Sequence, residues 1–120
     1  MKRSFLFVLL ALISFAGAAS ESKESWIRIN QVGYLPNDVK VAVIISTGNA
    51  KGDFKVFDNS TGKIVLKGKG RRADASKWAL SSAWRLDFSQ VTTPGEYYIV
   101  CDGVKSPLIR IDSHCYDGLA

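Results

Sequence analysis

The stretch Glu96-Tyr97-Tyr98-Ile99-Val100-Cys101-Asp102-Gly103-Val104 decides the fold. Aromatic and β-branched residues run up to an Asp-Gly pair, and a second apolar run, Val104 to Ile111, comes after it. Asp-Gly suits the central positions of a tight hairpin turn, where both residues take positive φ. The stretch therefore reads as strand, two-residue turn and return strand. In that register Cys101 pairs with Val104 and shares a face with Tyr97 and Ile99, as a small buried apolar residue. Upstream, Pro94-Gly95 turns the chain into the strand. Tyr97, at the strand entry, is placed to bond upstream backbone through its hydroxyl, as in a tyrosine corner.

The same period of two extends outward from this hairpin. Trp26 to Asn30 alternates with Ile27 and Ile29 on one face, and Trp84, Leu86 and Phe88 share another. Val39 to Ser46 is apolar on both faces and reads as a central or doubly covered strand. Asp53 to Asp58 alternates around Phe54 and Val56, although Phe57 blurs the outer face. Asn59-Ser60-Thr61-Gly62 is turn chemistry, and Lys63 to Lys67 returns as the second strand of a hairpin. The segment 68–82 is the least regular. Gly68-Lys69-Gly70 reads as loop, and the Ala-rich run from Ala73 to Leu80 has room for a helical turn. About seven strands with frequent turns point to an all-β sandwich.

The ends read differently. Lys2 and Arg3, an apolar run from Phe5 to Phe15 and the small residues Ala16 to Ala19 form the three-part pattern of a secretory signal over residues 1–19. The apolar run is too short to span a bilayer, so no membrane association is expected once the signal is removed. Export to the periplasm, cell surface or medium is the expected fate. The sandwich then occupies residues 20–112. In the last segment, 113–120, Ser113 is placed to cap a helix with Tyr116, Leu119 and Ala120 on its apolar face. A helix that short is unstable alone, which makes the chain read as part of something longer.

Composition excludes several functions. The formal net charge of +5 falls to +3 when Lys2 and Arg3 are set aside, and the cations are spread along the chain. The local group Lys67, Lys69, Arg71 and Arg72 reads as solvated surface, so no nucleic-acid partner is expected. Two cysteines and one histidine, His114, are too few for a disulfide scaffold or a zinc cluster. No cofactor or metal is implied. Cys101 and Cys115 should also be unbonded to each other. Ile111 stands about 23 Å from the turn at a strand's rise, and four further residues return at most about 14 Å.

The run Ile29-Asn30-Gln31-Val32-Gly33-Tyr34, with Pro36 and Lys40-Val41-Ala42-Val43, resembles the N-terminal immunoglobulin-like domain of glycoside hydrolase family 9, the cellulase family. Thr61 to Val65, Leu86 to Ser89 with Gly95 to Tyr97, and Asp102 to Val104 with Ser106 and Ile111 come in the same order. The resemblance covers nearly all of the chain after the leader. It implies a seven-stranded sandwich packed on a downstream (α/α)6 barrel that hydrolyses β-1,4-glucans with inversion. The family's catalytic aspartates and glutamate lie in that barrel, so no catalytic residue is carried over here. The parent protein would be a cellulase, and this chain its accessory, non-catalytic module.

Inverting hydrolysis needs two carboxyl groups roughly 6.5–9.5 Å apart across a cleft. Asp87 and Glu96 flank one connection, but a sandwich surface offers no such cleft, and both read as turn or surface residues. Asn30, Gln31, Val32, Gly33, Tyr34, Tyr116 and Leu119 are candidates for contact with a second domain. Of the aromatics, Trp26, Trp84, Tyr34 and Tyr98 read as core or interface. Trp78, in the irregular segment, is kept as a candidate contact to a polysaccharide surface. Asn59-Ser60-Thr61 fits the N-glycosylation pattern, a motif short enough to occur by chance. The competing functions are a free-standing carbohydrate-binding module, which calls for a row of exposed aromatics, and an adhesive repeat, which calls for internal repetition.

Overall fold

The computed structural model describes residues 23–75 and 80–117. The expected signal at 1–19, Trp78 and Leu119 lie outside the described residues. Strands form where branched and aromatic side chains alternate: β1 (Ser25–Arg28), β2 (Val41–Ser46), β3 (Asp53–Asp58), β4 (Ile64–Lys69), β5 (Arg71–Ala73), β6 (Ser82–Asp87), β7 (Gly95–Cys101), β8 (Val104–Lys105) and β9 (Ile109–Ile111). One sheet has the order β1-β2-β6-β5 and the other β4-β3-β7-β8, with β9 also on β7. The ladders between strands are all antiparallel. No helix occurs among the described residues.

These nine segments make seven strand paths. β4 and β5 are one ribbon that changes sheet at Gly70, and β8 and β9 are one return strand broken around Ser106-Pro107. This corrects the loop reading of Gly68-Lys69-Gly70. A Cβ on Gly68 would lie 2.6 Å from the Phe54 ring, and one on Gly70 would lie 2.9 Å from the Gly52 carbonyl oxygen. The glycines permit close approach inside paired structure, a role they share with loop glycines in sequence but not in physics. Arg71–Ala73, expected to be irregular, pairs with β6, and Arg72 lies over the Trp84 ring at 5.3 Å.

The core lies between the sheets, where Ile27, Ala42, Ile44, Phe54, Val56, Leu86, Phe88, Ile99, Ile109 and Ile111 meet. β2 is central, flanked by β1 and β6, and a smaller cluster of Ile45, Ala75 and Ala83 covers part of its other face. Phe57, on the outer face, stacks on Tyr98 with ring centroids 5.0 Å apart. The turn at Asp102-Gly103 has φ of 51° and 76°, and Cys101 pairs with Val104. Cys101 and Cys115 are free thiols, both buried. Burial raises the Cys101 thiol to about 11.

Tyr97 forms the expected corner, its hydroxyl donating to the Thr93 carbonyl at 2.7 Å. Tyr97→Phe should therefore destabilise the fold by about 1 kcal/mol, the net worth of one hydrogen bond plus a carbonyl left short of a donor. Chemical denaturation with an unchanged slope is the check. A variant as stable as the parent would reduce this corner to packing alone.

Candidate interdomain surface

The loop after β1 is built around Tyr34. Its ring is buried and meets Phe88 edge-on, with centroids 5.1 Å apart. Its hydroxyl accepts from the Asn30 backbone N–H at 2.8 Å and donates to the Val41 carbonyl at 3.2 Å. Burial raises the Tyr34 phenol above its ordinary value, partly offset by the Asn30 hydrogen bond. The Asn30 side-chain oxygen accepts from the Val32 N–H at 3.1 Å, so the amide ties off backbone where the strand ends. Gly33 takes φ of 127°, which favours glycine.

The loop grips the segment that leaves β9. Tyr34 N–H donates to the Arg110 carbonyl at 2.8 Å, and Asp112 N–H donates to the Tyr34 carbonyl at 3.0 Å. Tyr34 and Ile111 thereby form a parallel bridge. The Tyr116 hydroxyl donates to the Gly33 carbonyl at 3.1 Å and accepts from the Asn30 side-chain amide at 3.1 Å. Residues 113–117 are turn, with Cys115 N–H bonded to the Asp112 carbonyl and Asp117 N–H to the His114 carbonyl. Asp112, not Ser113, caps this turn, its carboxylate accepting from the His114 N–H at 2.9 Å. That bond, with the Arg110 guanidinium, holds the Asp112 carboxyl below its usual range.

Lys40 locks the other side of the corner. It shares parity with Ala42 and Ile44 and is fully buried. Its ammonium donates to the carbonyls of Pro36, Asp38 and Ser89 at 2.6, 3.0 and 3.3 Å. Its backbone N–H donates to the Ser89 hydroxyl at 2.8 Å, which in turn donates to the Asp87 carboxylate at 2.6 Å. Desolvation lowers the Lys40 pKa, although Asp38 and Asp87 oppose this. The two bonds from Ser89 hold the Asp87 carboxyl below its usual range. The burial of Lys40 is a feature the sequence reading missed. Its inward parity was the available signal.

The sequence candidates thus divide. Gly33 and Tyr34 are buried within the domain and shape the surface from beneath. Asn30, Gln31, Val32 and Tyr116 reach solvent, with Val32 and Tyr116 among the exposed large apolar side chains. The corner can present a fixed apolar and amide surface beside the point where the chain leaves the sandwich. Asp87 and Glu96 do not pair: Asp87 is engaged by Ser89, and Glu96 stands opposite Arg110.

Residues 22–106 match the family described as the cellulase N-terminal ig-like domain. The chain is 36% identical over 110 residues to a xyloglucan-specific endo-beta-1,4-glucanase of Bacteroides ovatus, covering 90% of the chain and 18% of that protein. It is 36% identical over 91 residues to a cellodextrinase of Butyrivibrio fibrisolvens, covering 76% of the chain and 16% of the relative. Among solved structures, Bacteroides ovatus GH9 superposes with a TM-score of 0.67 at 35% identity, over 78% of this chain and 16% of that one. The chain therefore spans less than a fifth of the length of these relatives.

Proposed function

The chain belongs to the family of cellulase N-terminal immunoglobulin-like domains, and from that premise we propose that it is the non-catalytic buttress of a larger glycoside hydrolase. The parent is a secreted enzyme that hydrolyses β-1,4-glucosidic bonds, and its catalytic domain comes after this sandwich in the same polypeptide. The residues 1–19 carry the export signal. The observation behind the buttress is the double fastening of the exit segment: Tyr34 to Arg110 and Asp112, and Tyr116 to Gly33 and Asn30. A segment held at both its backbone and its side chain leaves the sandwich in a set direction. The downstream domain is then positioned with little rotational freedom, which favours intramolecular docking over independent tumbling.

The carboxylates support a non-catalytic role. Asp87 is spent on the Ser89 turn and Asp102 on Lys23, and Asp112 caps the last turn. Each of the three is held as a carboxylate, whereas an acid catalyst for glycoside cleavage needs a raised pKa. The chain alone should release no reducing sugar from carboxymethyl cellulose or xyloglucan. Release that vanishes on Asp87→Asn or Glu96→Gln would replace this reading with a catalytic one.

A further inference from the structure

Parity along β1 and β2 sends Trp26, Arg28, Val43 and Ile45 to the outer face of their sheet, away from the core. Trp26 pairs with Ile45 and Arg28 with Val43. With Leu80 these side chains line a groove of about 560 Å³. The Trp26 side chain lies on an edge strand and remains 44% exposed. We infer that this groove is a docking surface for the polypeptide that continues past residue 120, an assignment that rests on the buttress reading and adds a second contact to it.

Three observations select that occupant. First, the exit segment lies at one end of the groove. Tyr116 is bonded to the Asn30 amide, and Asn30 is two residues beyond Arg28, at most about 7 Å along an extended chain. The last described residues thus stand beside the Arg28 end of the groove. Second, the groove suits a protein surface better than a sugar. It offers one indole, three aliphatic side chains and a single guanidinium, whereas a glycan face needs several polar partners for its hydroxyls. Third, charge opposes a second copy. Arg28, Val43, Arg85 and Arg71 form one row across the sheet. A two-fold contact would bring two such rows together, and like charges across an interface are repulsive. The fitting partner is an apolar ridge flanked by carboxylates.

The test compares this chain with its natural, longer polypeptide, each with and without Trp26→Glu. An exposed position on an edge strand should tolerate the change in the short chain, with a melting temperature shifted by less than about 2 °C. In the longer polypeptide the same change should lower the sandwich transition by about 5 °C or more. Arg28→Glu, which keeps the indole, should act in the same direction through charge. An equal shift in both chains would mean that the groove is filled from within the domain, and would overturn the inference. No shift in the longer polypeptide would overturn it too. Concentration-dependent dimers of the short chain that Trp26→Glu abolishes would assign the groove to a second copy instead. The unsubstituted pair reads the buttress proposal separately. A longer polypeptide that melts higher than the short chain but ignores Trp26→Glu leaves that proposal standing and removes only the groove.

Discussion

Lys40→Met is expected to lower stability by about 3 kcal/mol, because it removes the one buried donor that serves three backbone carbonyls. The methionine fills similar volume and removes a buried charge, which returns part of the loss. The carbonyls of Pro36, Asp38 and Ser89 are left turned toward a thioether that donates nothing. Those carbonyls belong to two segments far apart in sequence, the 35–39 turn and the corner after β6, so the effect is to unlatch one from the other. For a domain of this size about 3 kcal/mol corresponds to roughly 15 °C in melting temperature. Lys40→Arg should also destabilise, since its planar fork is larger and cannot meet three convergent carbonyls in the same space. Differential scanning calorimetry decides the matter. A Lys40→Met melting temperature within a few degrees of the parent would show that these carbonyls find other donors.

Gly33→Val should be comparably damaging, by about 3 kcal/mol or more. Two effects add. The φ of 127° is a backbone conformation that a β-branched residue resists, worth about 1–3 kcal/mol. A Cβ there would also lie 2.9 Å from the Arg110 carbonyl oxygen and 3.1 Å from the Cys115 Cβ. Neither neighbour can yield easily, because the Arg110 carbonyl accepts from Tyr34 N–H and Cys115 is buried. Gly62→Val is the control. Its φ of 72° carries conformational strain, but an added Cβ meets nothing within 4 Å. It should lose only about 1–2 kcal/mol. Denaturant midpoints for the two variants separate strain from collision. In Gly33→Val, protease should also cut after Arg110 before the rest of the sandwich opens. Equal losses at the two glycines would mean that Gly33 serves its φ alone and does not seat the exit segment.

Legibility in the sequence tracked the range of the interactions. The hairpin at 96–104 was readable because its signal is local, an Asp-Gly pair between alternating residues. The Tyr97 corner was equally readable, since its acceptor is only four residues away. Glycine misled at Gly68 and Gly70. The residue type marks either a flexible turn or a close approach, and only the arrival of Phe54 and Gly52 tells which. Lys40 was hidden because the Ser89 carbonyl comes from 49 residues away. The cap of the last turn was misplaced by one residue, from Asp112 to Ser113, since both residue types serve that purpose. Asn30 to Tyr34 stood out in the sequence as a run more specific than a turn requires. Its physical reason is the grip on Arg110, Asp112 and Tyr116, which lie some 80 residues downstream.

The buttress proposal ties these features together, and its energetic content is direct. Val32 and Tyr116 are exposed at the corner, 41% and 40%, and Val39 at the neighbouring strand entry is 78% exposed. Burying a few hundred Å² of such surface would contribute several kcal/mol at roughly 25 cal/mol per Å². That is a large share of the about 5–15 kcal/mol that holds a domain folded. The most direct measurement is calorimetric unfolding of this chain beside the longer polypeptide that contains it, at matched concentrations, with hydrodynamic size recorded for each. The sandwich should melt at a higher temperature, or in one shared transition, when its continuation is attached, and the short chain alone should tend to self-associate. A short chain that is monomeric and melts no lower than the same domain in the longer polypeptide would contradict it.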